Sequence, residues 1–279
     1  MAAGLNGYSW PRRMVSWYRT YLLCGLLLFS SHLFATQPAP ATNTFQMSDT
    51  LRVAIAAEDY PPFYYQNTQG EMDGFSVRVL LAVSQQLALS VRWQRLPWKR
   101  LMHHVQEGRA DLVLVMYHTD SRAEQFLFSD VSYLQDAIVL LCHRPCDTEF
   151  DGDEHALAMK EVALVRGFSY GEVLDALPLN ALTMVESDTM LLHLLAHGRL
   201  KLGIASYLTV SRSALMQQQN PPFEILQPFL AAVDIYFAFS RRSLLSSAQI
   251  QAFNQALVDF VQSPEYRALR TEYQLDLPD

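Results

Sequence analysis

The chain has only three cysteines in 279 residues, no long run of lysine or arginine, and 18 % charged side chains. The shortage of cysteine excludes a small fold held together by a disulfide framework. With no basic tract and a net charge of −7, a nucleic-acid-binding surface is not expected. Low charge beside 50 % hydrophobic and 11 % aromatic residues excludes an intrinsically disordered chain. The length allows one or two domains and a sizeable core. An uncharged, mostly apolar stretch covers residues 20–35, but its 16 residues fall short of the roughly 20 that cross a bilayer. With no second apolar segment of that kind, the chain is not itself a pore, and a transport role requires a membrane partner.

Arg12, Arg13 and Arg19 precede that stretch and small residues follow it. A basic flank, a short apolar run and small residues make the pattern of a secretory signal peptide over 1–35, cleaved after Ala35 or after Ala41. An uncleaved anchor is the alternative. Removal of 1–35 takes away three arginines and no acids, so the charge moves from −7 to −10. Residues 36–49 are rich in Pro, Thr, Ala and Gln without apolar periodicity and read as a flexible leader. Export leaves Cys142 and Cys146, in Cys142-His-Arg-Pro-Cys146, in an oxidising compartment that favours a disulfide. Two free thiols, or a redox pair of unusual spacing, remain open. No second ligand cluster accompanies the pair, which argues against a metal site.

From Leu51 the pattern becomes regular. Leu51–Ala56 alternates as a strand and Tyr60-Pro-Pro-Phe63 breaks it into a loop. Phe75, Val79, Leu80, Val83 and Leu87 carry helical spacing. A strand over Val91–Arg95, a helix over Trp98–Gln106 and a buried strand over Asp111–Tyr117 follow. Strand–helix–strand–helix–strand predicts an α/β sheet with parallel strands. The second half repeats the theme, with strands at Glu161–Val165, Ala181–Val185, Leu202–Ala205 and Ile235–Ser240, a helix over Thr189–His197, and two amphipathic helices at about 246–262 and 264–273. Two such units leave a cleft between them, a preferred place for a small ligand. Loops beyond the carboxyl ends of strands, Glu58–Phe63 and Tyr117–Arg122, are the first candidates to line it.

Several segments, in their order and spacing, resemble the family 3 extracellular solute-binding proteins, periplasmic receptors for polar amino acids and related solutes. They are Leu51-Arg-Val-Ala-Ile55, Tyr60-Pro-Pro-Phe63, Gly70, Asp73-Gly-Phe75, Pro97-Trp98, Gly108-Arg-Ala-Asp-Leu112, Thr119-Asp-Ser-Arg122 and Phe128-Ser-Asp130. The resemblance spans about 50–275. It implies a two-lobed periplasmic-binding-protein fold of type II, each lobe a mostly parallel sheet flanked by helices. Lobe 1 would comprise 50–134 plus 235–279 and lobe 2 would comprise 137–231, closing on the ligand by hinge motion.

Carried over residue by residue, the resemblance makes Arg122 the grip on a ligand carboxylate, a role that suits a planar guanidinium fork. Tyr60 and Trp98 match the aromatics that cover the ligand side chain. Thr119 matches a position that meets the carboxylate, and it also reads as a helix N-cap. Ser169 matches a lobe 2 loop at a helix start. The family's aspartate for a ligand ammonium falls on Ser206, small hydroxyl positions fall on Val115 and Tyr117, and the acid after Gly-Phe falls on Ser76. A buried ammonium without a carboxylate is costly, and Glu58 is the acid available to replace it. The expected function is therefore a periplasmic receptor for a small, polar, carboxylated solute, acting as a monomer without a cofactor and handing the solute to an inner-membrane permease or sensor. The alternatives are a ligand-degenerate interaction module and a dehydratase-like enzyme on the same fold, for which Glu58, Asp59 and His118 are the acids and bases at hand.

Overall fold

The computed structural model describes residues 50–178 and 181–278. The signal peptide expected at 1–35 and the leader at 36–49 lie outside the described residues. The chain opens with β1 (Thr50–Ala56), β2 (Tyr65–Gln66), β3 (Met72–Asp73), α1 (Phe75–Gln86), β4 (Ser90–Leu96), α2 (Trp98–Gln106) and β5 (Leu112–Tyr117). It continues through α3 (Asp120–Gln125), β6 (Phe126–Phe128), β7 (Leu134–His143), a 3-10 turn at Glu154–Met159, β8 (Glu161–Val165) and α4 (Glu172–Ala176). Then come β9 (Ala181–Val185), α5 (Asp188–Ala196), β10 (Leu202–Ser206), α6 (Tyr207–Ser211), β11 (Phe223–Ser240), α7 (Ser247–Val261) and α8 (Pro264–Glu272).

Nine strands form one sheet in the order β4-β1-β5-β11-β7-β10-β8-β9, with β6 also on β11. At one end β4, β1 and β5 are parallel; at the other β9, β8 and β10 are parallel. The antiparallel strands β7 and β11 join the two halves. The strand expected at Ile235–Ser240 is the last third of β11, which pairs there with β5, while its first residues pair with β7 far into the other half. A register shift between Leu226 and Ala231 interrupts its pairing with β7, and from Ile235 the strand pairs with β5.

The cores follow from strand alternation. Leu51, Val53 and Ile55 of β1 bury one face beneath Phe75, Val79 and Val83 of α1 and Phe253 and Leu257 of α7. Ala54 turns the other way, with Leu101 and Val105 of α2 and Val113 of β5. In the second half Val139 and Leu141 of β7 meet Leu191, Leu192 and Leu195 of α5. Two of the sequence motifs have structural work. Arg52 forks onto Asp111, with Nη2 at 2.8 Å and Nε at 2.9 Å, and Asp111 also accepts from Ser243 and the Leu244 amide. Gly74 starts α1 at φ 122°, where an added Cβ would meet the Phe63 carbonyl. The sulfurs of Cys142 and Cys146 lie 1.98 Å apart at the end of β7. No described helix is long and apolar enough to cross a membrane.

Candidate functional site

The polar side chains of the cleft come from carboxyl ends of strands and the loops beyond them, where open α/β sheets bind ligands. Tyr60 follows β1, Trp98 follows β4, Tyr117 ends β5 and Arg122 lies just after it. From the other half, Phe168 and Ser169 follow β8, Asp188 follows β9 and Thr209 follows β10.

The two halves touch across the cleft. The Trp98 indole donates to the Gly167 carbonyl at 2.7 Å, and the Asp120 amide donates to Glu172 Oε1 at 2.9 Å. Phe168 enters between two rings of the first half, 5.4 Å from Trp98 and 6.0 Å from Tyr60. A narrow chamber of about 40 Å³ has Tyr60, Trp98, Tyr117, Arg122, Phe168 and Ser169 in its wall. A wider cleft of about 950 Å³, sharing Tyr60, Trp98 and Phe168 with the chamber, runs past Glu58, Asp188 and Thr209.

Arg122 sits in α3, whose N-cap Thr119 accepts the Arg122 amide at 3.2 Å. Its guanidinium donates one hydrogen bond among the described residues, to the Tyr117 carbonyl at 3.1 Å, and lies 5.9 Å from the centre of the Trp98 ring. Burial lowers its pKa, against the nearby charge of Asp175, yet an arginine stays cationic. The remaining N–H groups can meet a carboxylate. Ser169 gives its hydroxyl to Asp175, and the Tyr170 amide donates to the same carboxylate at 2.8 Å.

Beneath the chamber is a buried carboxylate that the sequence reading did not pick out. Asp136, on β7, is 0 % exposed. It accepts Ser206 Oγ at 2.5 Å, the Ala137 amide at 2.8 Å, Tyr117 Oη at 2.9 Å and the Leu208 amide at 3.2 Å. Burial pushes its pKa up, and the four donors oppose that rise. Ser206, 2 % exposed, also caps α6 by accepting the Thr209 amide. Burial first, then the charge of Asp136, drives the Tyr117 phenol far above its ordinary range.

Asp188 is also buried, at the first turn of α5. Among the described residues its carboxylate accepts only its own amide, and burial, with Asp136 and then Glu58 adding negative charge, raises its pKa from 3.8 to about 7. Burial, then Asp188 and Asp136, raises the Tyr60 phenol well above 10.

With this geometry in hand, the family model for bacterial extracellular solute-binding proteins, family 3, matches residues 51–276. The chain belongs to this family. A probable histidine-binding protein of Neisseria gonorrhoeae is 27 % identical over 157 residues, 55 % of this chain and 56 % of that protein. The chain thus spans little more than half of that relative. An ancestral arginine-binding protein bound to arginine superposes with a TM-score of 0.69 at 19 % identity, over 81 % of this chain and 99 % of the other. A histidine kinase sensor domain with similarity to periplasmic binding proteins does so at 0.70 and 19 %, over 82 % of this chain and 97 % of the other. These likenesses give the chain the two-lobed periplasmic-binding-protein fold.

Of the residues singled out in the sequence, Tyr60, Trp98, Tyr117, Arg122 and Ser169 meet around the narrow chamber. Glu58 lies at the exposed rim of the wide cleft. Thr119 and Ser206 line neither cavity; each holds a helix start behind the wall. Phe168, Asp136, Asp188 and Thr209 were not foreseen. A lone acid in the apolar strand Leu134–His143 was the available signal for Asp136, and Ser187-Asp188 before an apolar helix was the signal for Asp188.

Proposed function

We propose that this chain is an exported receptor for a small, carboxylated, amino-acid-like solute, closing its lobes over that solute for a membrane transporter or sensor. The observation that carries the reading is Arg122: a partly buried cation with unspent donors in the wall of a small chamber lined by Tyr60, Trp98 and Phe168. Tyr117 and Ser169 complete the wall, Thr119 positions α3, Ser206 acts through Asp136, and Glu58 guards the entrance. The lobes are 50–134 with 235–279, and 137–231, and the hinge is the β7–β11 pair that links them. The names of the relatives, histidine-binding and arginine-bound, agree with an amino-acid-like ligand. Residues 1–35 then serve as the signal peptide, the mature protein is a periplasmic monomer with a Cys142–Cys146 disulfide, and binding rather than turnover is its task.

The test is thermal unfolding of the mature protein, stripped of carried-over ligand, against amino acids, amines and organic acids. A ligand at 100 times its Kd adds about 2.7 kcal/mol of stability. Truncation of a buried charged contact removes about 2–5 kcal/mol of binding, so Arg122→Ala weakens the hit by about 30-fold or more. An affinity unchanged by Arg122→Ala overturns the reading.

A further inference from the structure

Asp188 and Thr209 are two buried polar side chains at one cleft, and of the two it is Asp188 that the receptor's own structure leaves without an outside donor among the described residues. Each is 7 % exposed, and both line the same wide cleft. Thr209 Oγ1 is buried and makes no hydrogen bond of good geometry among the described residues, its one side-chain influence being on the Tyr60 phenol. Asp188 accepts no described donor beyond its own amide. A buried polar group without a partner is destabilising, and a buried carboxylate more so. A buried carboxylate in that condition, facing a cleft beside a hydroxyl, marks the place where something else is meant to bind.

The surrounding charges say what that is. The charged neighbours acting on Asp188 are Asp136 and Glu58, both acids. The cations along the cleft are engaged or distant from burial. Arg212 gives its donors to the carbonyls of Leu208, Tyr273 and Gln274. Arg166 is exposed and pairs with Glu186 at 3.0 Å, and Lys99 is exposed at the rim. The spot is therefore acidic and lacks a countercharge of its own.

Its position fixes the ligand's shape. Arg122 borders the narrow chamber and Asp188 the wide cleft, and Tyr60, Trp98 and Phe168 line both. A molecule that reaches from one pole to the other carries its two charges at separated ends and runs its apolar middle past those rings.

We infer that Asp188, with Thr209 Oγ1 as a neutral acceptor, receives an ammonium or guanidinium placed several bonds from the carboxylate that Arg122 holds. The inference rests on the receptor reading proposed above, and it makes Asp188 the residue that selects cationic over neutral solutes.

The experiment is titration calorimetry on the mature protein with lysine and two analogues, each of which lacks one of its poles. Lysine carries both poles, 2-aminohexanoic acid lacks the distal cation, and 1,5-diaminopentane lacks the carboxylate. The wild type should bind lysine more tightly than 2-aminohexanoic acid by about tenfold or more. Asp188→Asn should abolish that preference and the binding of the diamine while leaving 2-aminohexanoic acid unaffected. Thr209→Val, which keeps the shape of the side chain, should reduce the preference several-fold. An unchanged lysine preference in Asp188→Asn overturns the inference, as does a wild type that binds neither lysine nor the diamine. Arg122→Ala separates the two claims. If it spares 2-aminohexanoic acid, the carboxylate grip fails, while diamine binding that still depends on Asp188 keeps the cation pole standing.

Discussion

Asp136 and Asp188 both lie deep in the wall between the lobes, yet Asp136 accepts four hydrogen bonds where Asp188 accepts one, from its own amide, among the described residues. The same functional group is a structural knot in one place and an open valence in the other. Asp136 ties β7 to the end of β5 through Tyr117 and to the start of α6 through Ser206 and Leu208, so it locks the crossover of the two lobes. Asp188 contributes no such tie and faces the cleft. A protein keeps an unsatisfied buried acid when function needs it, and satisfies the acid when folding needs it.

Mutation of Asp136 should break the comparison most violently. Asp136→Ala leaves two hydroxyls and two amides without their acceptor, and each buried unsatisfied group costs about 1–3 kcal/mol. We expect a loss of about 5 kcal/mol, a large part of a domain's whole stability, read from chemical denaturation without ligand. A loss under about 1 kcal/mol would show that the knot is not what joins the lobes.

Asp188 should act in the opposite direction, through pH. Its folded pKa of about 7 stands above the 3.8 of an ordinary side chain. The folded state therefore holds its proton more tightly than the unfolded state, so this contribution is complete below about pH 4 and is lost as pH rises through about 7. A shift of about three units corresponds to roughly 4 kcal/mol across that window. Asp188→Asn cannot ionise, so without ligand it should match the wild type near pH 4 and exceed it by up to that amount at pH 8. Asp136, Glu58, Tyr60 and Tyr170 surround the group and remain in both proteins, so the difference between the two curves reports the ionisation of Asp188 together with its coupling to them. Parallel curves from pH 4 to pH 8 would refute it.

The sequence made the outer parts of the fold legible because they are periodic. The alternation of Leu51–Ala56 and the helical spacing from Phe75 show which faces are buried, and β1 and α1 lie within a residue of those expectations. Long-range pairing carries no such local signal. β7 is a plain apolar run, and the first two thirds of β11 include Gln227-Pro228 and register-shifted residues that hide its continuity. The site divided along the same line. Arg122, Tyr60 and Trp98 sit in ordered motifs and meet at one chamber. Ser206 was visible as a residue where an acid was expected, but the acid it serves lies 70 positions earlier in the chain. Phe168 gave no sign of its role, because a single aromatic in a loop takes meaning only from the Trp98 and Tyr60 rings on the other lobe.

The gentlest probe of the contrast is Tyr117→Phe. It removes one of the four donors to Asp136, the phenol at 2.9 Å, and keeps the ring in the chamber wall. Three donors remain, so the carboxylate is strained but not abandoned, and a hydrogen bond to a charged group contributes about 1.5–3 kcal/mol. We expect a loss near 1.5 kcal/mol, well below that of Asp136→Ala, with the pH span assigned to Asp188 intact. If Tyr117→Phe instead equals Asp136→Ala, the phenol is the essential member and the other three bonds contribute little. If it also flattens the pH profile, the two acids titrate as one unit, and the division between a folding carboxylate and a binding carboxylate falls. Additive behaviour in the Tyr117→Phe, Asp188→Asn double variant would show that two acids close enough to influence each other's protons still serve separate ends.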